Sequence, residues 1–133
     1  MKVGLGLAFI NQSTGDVSST TFAALCSAVV DALLGAAGLN HLRPEFGFLS
    51  PVDKIKQIEL KLYYQGFSLV NMDCTIEGEL NLKPGVVNDF ARQIADLLFI
   101  SPERFTVKSY WLEKMAGTAR IQVIASIKKS DEI

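Results

Sequence analysis

Between Phe22 and Ala37 nearly every residue is apolar, and Asp31 is the one charge in the run. A helix apolar around most of its circumference has to be covered on more than one side, by a sheet, by other helices or by another subunit. The run is shorter than the roughly 18–20 residues of a membrane span, and Asp31 interrupts it. No basic cluster leads into it, and Asn11 to Thr21 is polar and turn-like, unlike the charged start of an export signal. Although Ala24-Leu25-Cys26 looks superficially like a lipoprotein cleavage site, the apolar stretch continues past the cysteine. The run therefore reads as a core helix. Ser18, Ser19 and Thr20 offer hydroxyl caps before it, and Gly38 and Asn40 offer a left-handed stop after it.

Strand-like alternation surrounds this helix. Met1 to Ile10 sets Val3, Leu5, Leu7 and Phe9 against Lys2, Gly4, Gly6 and Ala8, which is the period of two that separates the faces of a strand. From Ile55, Ile58, Leu60, Leu62 and Tyr64 alternate with Gln57, Glu59, Lys61 and Tyr63. Gln65-Gly66 then reads as a hairpin turn. Phe67 to Leu82 is a long third strand, with Val70, Met72, Cys74, Ile76, Leu80 and Leu82 on one face. Asn71, Asp73, Thr75, Glu77, Glu79 and Asn81 lie on the other. Gly78 falls on the apolar face, a place for a bulge or a close backbone approach.

Pro84 suits the first turn of a second helix over Gly85 to Phe99, whose stripe is Val87, Phe90, Ile94, Leu97 and Leu98. Ser101 to Arg104 connects it to a strand over Phe105 to Leu112, and Met115 to Gly117 turns the chain into a last strand over Ala119 to Ile127. The expected order is β-α-β-β-α-β-β in one α+β domain spanning 1–128, with 129–133 a charged tail. Such an order favours a mostly antiparallel sheet with both helices on one face, ferredoxin-like or a close relative with a different strand order.

An apolar fraction of 49% with 20% charged residues suits a folded chain of 133 residues. Basic and acidic residues nearly balance, 13 against 14, and are scattered. The basic footprint of a nucleic-acid binder is missing. The expectation is a cytoplasmic protein with no nucleic-acid or membrane partner and no cofactor. Cys26 and Cys74 lack neighbouring ligands at metal spacing and read as small buried hydrophobes of a reducing compartment. A single histidine, His41, rules out a His-based metal site within one chain, and no metal is expected.

Candidate chemistry is sparse. Leu39 to Lys54 reads as one long irregular loop, and loops of that length often carry sites. On it His41, Arg43 and Glu45 are candidate ligand-binding residues, and Tyr63 and Tyr110 join them from adjoining strands. Glu77 and Glu79 share a strand face, where pairing with Lys61, Lys108 or Arg120 outweighs acid–base work. Gly4-x-Gly6 lacks the third glycine and helix opening of a dinucleotide fingerprint. The open sheet face is expected to carry Gly4, Gly6 and Ala8; Glu59, Lys61 and Tyr63; Asp73, Thr75, Glu77 and Glu79; Thr106, Lys108 and Tyr110; and Arg120, Gln122 and Ile124. It is either a solvated face or the surface of a homo-oligomer, dimer or trimer.

The segment Thr75-Ile-Glu-Gly-Glu-Leu through Leu98-Phe-Ile-Ser-Pro-Glu-Arg-Phe-Thr-Val-Lys-Ser-Tyr-Trp resembles the strand–helix–strand unit of the tautomerase superfamily, which includes migration inhibitory factor and the small muconate isomerases. The resemblance implies that fold and a trimer. The family's N-terminal catalytic proline has no counterpart, since Lys2 stands there, and no catalytic residue is carried over. The function expected from sequence is thus a self-associating domain of unknown role that binds a small molecule near the 39–54 loop. The alternatives are a tautomerase- or isomerase-like enzyme without the terminal proline, or a component of a larger protein assembly. Whether the chain is an enzyme stays open at this level.

Overall fold

The computed structural model describes residues 1–11, 16–78, 82–83, 85–110 and 117–130. Its elements are β1 (Lys2–Asn11), α1 (Val17–Ala37), a 3-10 turn (Asn40–Leu42), α2 (Arg43–Phe46), α3 (Pro51–Tyr64), β2 (Phe67–Gly78), α4 (Val86–Leu97), a 3-10 turn (Pro102–Arg104), β3 (Phe105–Tyr110) and β4 (Thr118–Lys129). The α+β class holds, with helices layered on a sheet of order β1-β4-β2-β3. That sheet is mixed. β4 runs antiparallel to β1 and β2, while β2 and β3 are parallel, joined through α4.

The expected strand over 58–64 is instead the body of α3. Its alternation is compatible with a helix, because Ile55, Ile58 and Leu62 fall at i, i+3 and i+7 and are the residues it buries. The start is equally specific: Ser50 caps the helix by accepting from the Asp53 amide at 3.2 Å, with Pro51 in the first turn. Gln65-Gly66 is accordingly no hairpin. Gly66, at φ 75°, closes the end of α3, its amide donating to Tyr63 O at 3.0 Å. The supposed loop 39–54 is mostly helical as well, being divided among the 3-10 turn, α2 and the first turn of α3.

α1 begins earlier than expected, capped by Asp16, whose carboxylate accepts from the Ser18 amide at 3.0 Å. Gly38 ends it at φ 71° as expected. Its apolar circumference is covered by β1 and β4 on one side and α3 on another, so Leu25, Cys26, Val29, Leu33 and Leu34 are buried. This helix has the length and composition of a membrane span, yet 61% of that stretch is buried inside the fold. It is the central core helix.

β1 presents the opposite face from the one expected. Gly4 and Gly6 point at α1, not at the open side. A Cβ on Gly4 would sit 1.9 Å from Ala32 O, and one on Gly6 1.8 Å from Ala28 O. Only glycine lets the helix backbone come so close. The large residues are thereby turned outward: Val3, Leu5, Leu7 and Phe9 are 44 to 71% exposed.

The other strands keep the expected faces. Met72, Cys74 and Ile76 of β2 and Ile121, Val123, Ala125 and Ile127 of β4 are buried under the helices. Gly78, at φ 122°, passes within 2.5 Å of Thr118 O at its notional Cβ, the close approach anticipated there.

Candidate functional site

The parallel pair organises one cleft. β2 and β3 end side by side, Glu77 against Tyr110, and the chain from β2 crosses over through α4. The carboxyl ends of two parallel strands and the amino end of the crossover helix therefore meet, a common place for ligands in parallel sheets. The cleft there measures about 350 Å³ and is lined by Ile76, Gly78, Lys83, Gly85, Val87, Asn88, Val107, Ser109 and Tyr110. Ile76, Val87 and Val107 form apolar walls; Lys83, Asn88, Ser109 and Tyr110 supply the polar groups.

α4 opens on this cleft without a side-chain cap, from Gly85 at φ 91°. The first-turn amides of such a helix, with the positive end of its dipole, favour an anion. Lys83 stands beside them with no ion pair to any described residue.

The residues singled out from sequence are dispersed. Arg43 Nε lies 3.2 Å from Asp31 Oδ1, and its Nη2 donates to Asn40 at 3.4 Å. It closes a small hollow of about 110 Å³ with Ser27, Asp31 and Lys54, where Lys54 Nζ donates to Ser27 Oγ at 3.4 Å. Glu45 turns away to Lys61 at 3.8 Å. His41 is exposed on the 3-10 turn. Tyr63, on α3, lines a different cleft, and of the five only Tyr110 borders the β2–β3–α4 cleft. Lys83, Asn88 and Ser109 were missed. The signal for Lys83 and Asn88 was a helix that starts from a glycine, Gly85, with no Ser, Thr, Asp or Asn in the capping position.

Burial raises the Asp31 carboxyl above its ordinary range, and Arg43 and Lys54 partly offset that rise. The folded chain thus holds this proton more tightly than the unfolded chain does. Asp31's contribution to stability is present at low pH and is lost as pH rises through its folded pKa. In Arg43→Gln, carboxyl NMR should show Asp31 titrating at still higher pH than in the parent chain. An unchanged midpoint would show that the 3.2 Å pair is not formed.

On the open sheet face the charges are matched. Arg120 meets Glu77 at 2.6 Å across β4 and β2. Asp73 accepts from Thr106 at 2.6 Å and lies 3.7 Å from Lys108. The expected pairing of Glu77 is met by Arg120, while Glu79 lies outside the described residues. Cys26 and Cys74 are buried, which pushes both thiols up to about 12; neither is a nucleophile at neutral pH. Among the described residues no three His, Cys, Asp or Glu side chains converge as metal ligands.

No family model matches the sequence. Individual relatives do. The 2-C-methyl-D-erythritol 2,4-cyclodiphosphate synthase of Listeria innocua is 31% identical over 110 residues, covering 77% of this chain and 70% of that protein. The bifunctional enzyme IspD/IspF of Sulfurimonas denitrificans is 28% identical, covering 98% of this chain and 34% of the longer protein. Among solved structures, the CDP complex of IspF from Plasmodium falciparum superposes with a TM-score of 0.76 over 98% of this chain and 97% of that one, at 14% identity. A CDP-bound form of 2C-methyl-D-erythritol-2,4-cyclodiphosphate synthase gives 0.73, covering 96% of this chain and 100% of that one, also at 14% identity.

These matches run through both halves of the chain, whereas the tautomerase likeness rested on the strand–helix–strand segment from Thr75 to Trp111, and they replace it. They also remove the reading of a domain of unknown role. With nearly a third of its aligned residues shared with a relative whose length it mostly spans, and the same fold from end to end, this chain belongs to the 2-C-methyl-D-erythritol 2,4-cyclodiphosphate synthase family.

Proposed function

We propose that this chain serves the chemistry its relatives are named for, the formation of 2-C-methyl-D-erythritol 2,4-cyclodiphosphate, as a self-associated cytoplasmic assembly. A diphosphate-bearing nucleotide would occupy the β2–β3–α4 cleft. The observation that carries this reading is the coincidence, in one cleft, of an uncapped helix start, a lysine (Lys83) that pairs with no described carboxylate, and an apolar wall. Phosphate oxygens suit the first-turn amides of α4 and the Lys83 ammonium. Ile76, Val87 and Val107 offer a surface for the less polar part of the ligand. Self-association is supported by the outward ridge of Val3, Leu5, Leu7 and Phe9, since solvent-facing apolar patches of this kind mark contact surfaces.

The test is calorimetric titration of the full chain with CDP, alongside mass-spectrometric detection of the cyclodiphosphate product. Lys83→Met removes a charge-assisted contact and should weaken CDP about 10- to 100-fold, from ~1.5–3 kcal/mol. No CDP binding by the parent chain at millimolar concentration would reject the reading.

A second reading is a member that binds the ligand without turning it over. It is favoured by the lack of converging metal ligands among the described residues and by the commitment of Arg120 and Lys108 to carboxylates. CDP binding without product would select it.

A further inference from the structure

A second cleft, about 310 Å³, opens where the end of α3, the start of β2 and the turn after α4 come together. It lies outside the nucleotide reading above and shares no lining residue with the first cleft. Its size falls within the range of small-molecule sites. Phe99 forms one side and is the only described non-glycine residue with positive φ, at 58°.

The position explains the angle. Leu98, Phe99 and Ile100 close α4 as a Schellman turn, with Ile100 N donating to Ala95 O at 3.0 Å and Phe99 N to Asp96 O at 3.2 Å. The left-handed residue of that turn is ordinarily glycine. The phenyl ring there is 81% exposed, so burial offsets little of the backbone cost. Among the described residues none covers most of this ring.

The remaining wall has the chemistry of a recognition site. Tyr63 presents a second exposed ring. The Arg104 guanidinium and the Glu59 carboxylate line the same cleft, and neither forms an ion pair with a described residue. Phe67, which also lines the cleft, has Lys129 Nζ 4.3 Å and Lys2 Nζ 5.4 Å from the centre of its ring.

The geometry points to a second ligand site between Phe99, Tyr63 and Arg104 that takes a small flat aromatic anion carrying a hydrogen-bond donor. The ring stacks on Phe99 and Tyr63, the anionic group meets Arg104, and the donor meets Glu59.

The probe is 4-aminobenzoate, which has a planar ring, a carboxylate at one end and an amine at the other. Titrated into the isotope-labelled full chain, it should perturb backbone resonances of residues 59–69 and 98–104 saturably. Arg104→Gln should weaken binding at least tenfold with the melting temperature unchanged, since this side chain is exposed. Phe99→Gly separates function from structure: it relieves the left-handed strain and should raise the melting temperature while weakening binding at least tenfold. Three results would overturn the proposal. They are no saturable shift in the parent chain at 10 mM probe, on the order of the weakest measurable affinities, equal binding in both variants, or a concentration-dependent shift of the same resonances without probe, which would make Phe99 a contact between copies.

Discussion

Gly6→Ala should come close to unfolding this protein, although it adds a single methyl group. The new Cβ would lie 1.8 Å from Ala28 O and 2.8 Å from Ala32 N, both backbone atoms of α1. A side chain in that place could rotate away, but a helix backbone cannot move without lifting the central core helix off β1. Overpacking in cores usually costs about 1–3 kcal/mol, and a backbone clash of this depth belongs above that range. The expected loss in urea denaturation is roughly 4 kcal/mol or more, a value that itself marks such a mechanism. Gly47→Ala is the control. Its φ is −61° and its added Cβ meets nothing closer than 3.5 Å. It should be neutral or stabilise by about 0.4–1 kcal/mol through the unfolded chain. Equal stability of the two variants would show that α1 does not lie against β1 at this distance.

Gly4 and Gly6 show what was readable in the sequence. The alternation in β1 gave the strand but not which set faces in, because hydrophobic pattern assigns the larger residues to the core. Here the core side is set by how closely a helix approaches, and that is a property of a partner far along the chain. β2 and α4 were legible because their polar and apolar sets are cleanly divided. Between Ile55 and Tyr64 the apolar residues satisfy both periods, so the capping signature Ser50-Pro51-x-Asp53 had to decide, and it lay inside a stretch read as loop.

The parallel pairing of β2 with β3 was available from the strand–helix–strand order, but nothing local says which strand and helix ends meet. The β2–β3–α4 cleft inherits that silence, since its walls come from the ends of three elements. Arg43 and Glu45 were sensible choices by residue type, but α2 holds them in ion pairs with Asp31 of α1 and Lys61 of α3.

Leu5→Asp should leave the fold intact and dissolve the proposed assembly. Leu5 lies on β1 opposite Ile124 of β4 and is 54% exposed, with Val3, Leu7 and Phe9 in the same outward row. Among the described strands β1 lies at the edge of the sheet, beside β4, and an edge strand with an apolar outer row is a place for another copy to join. Within one protomer an aspartate at position 5 points into water and displaces no core side chain. Between protomers it places a charge in an apolar contact, where burial without a partner is costly. Losing one leucine from such a contact removes about 1.5–3 kcal/mol of burial, and desolvating the new carboxylate adds to that. The dissociation constant should rise roughly a hundredfold or more. Size-exclusion chromatography with light scattering on both chains at equal micromolar concentration reads the result. The parent should elute as an oligomer and the variant as a monomer with unchanged far-UV circular dichroism. A variant that keeps the parent's mass would move the contact surface away from β1, and a monomeric parent would remove self-association from the proposed function while leaving the cleft reading to its own test.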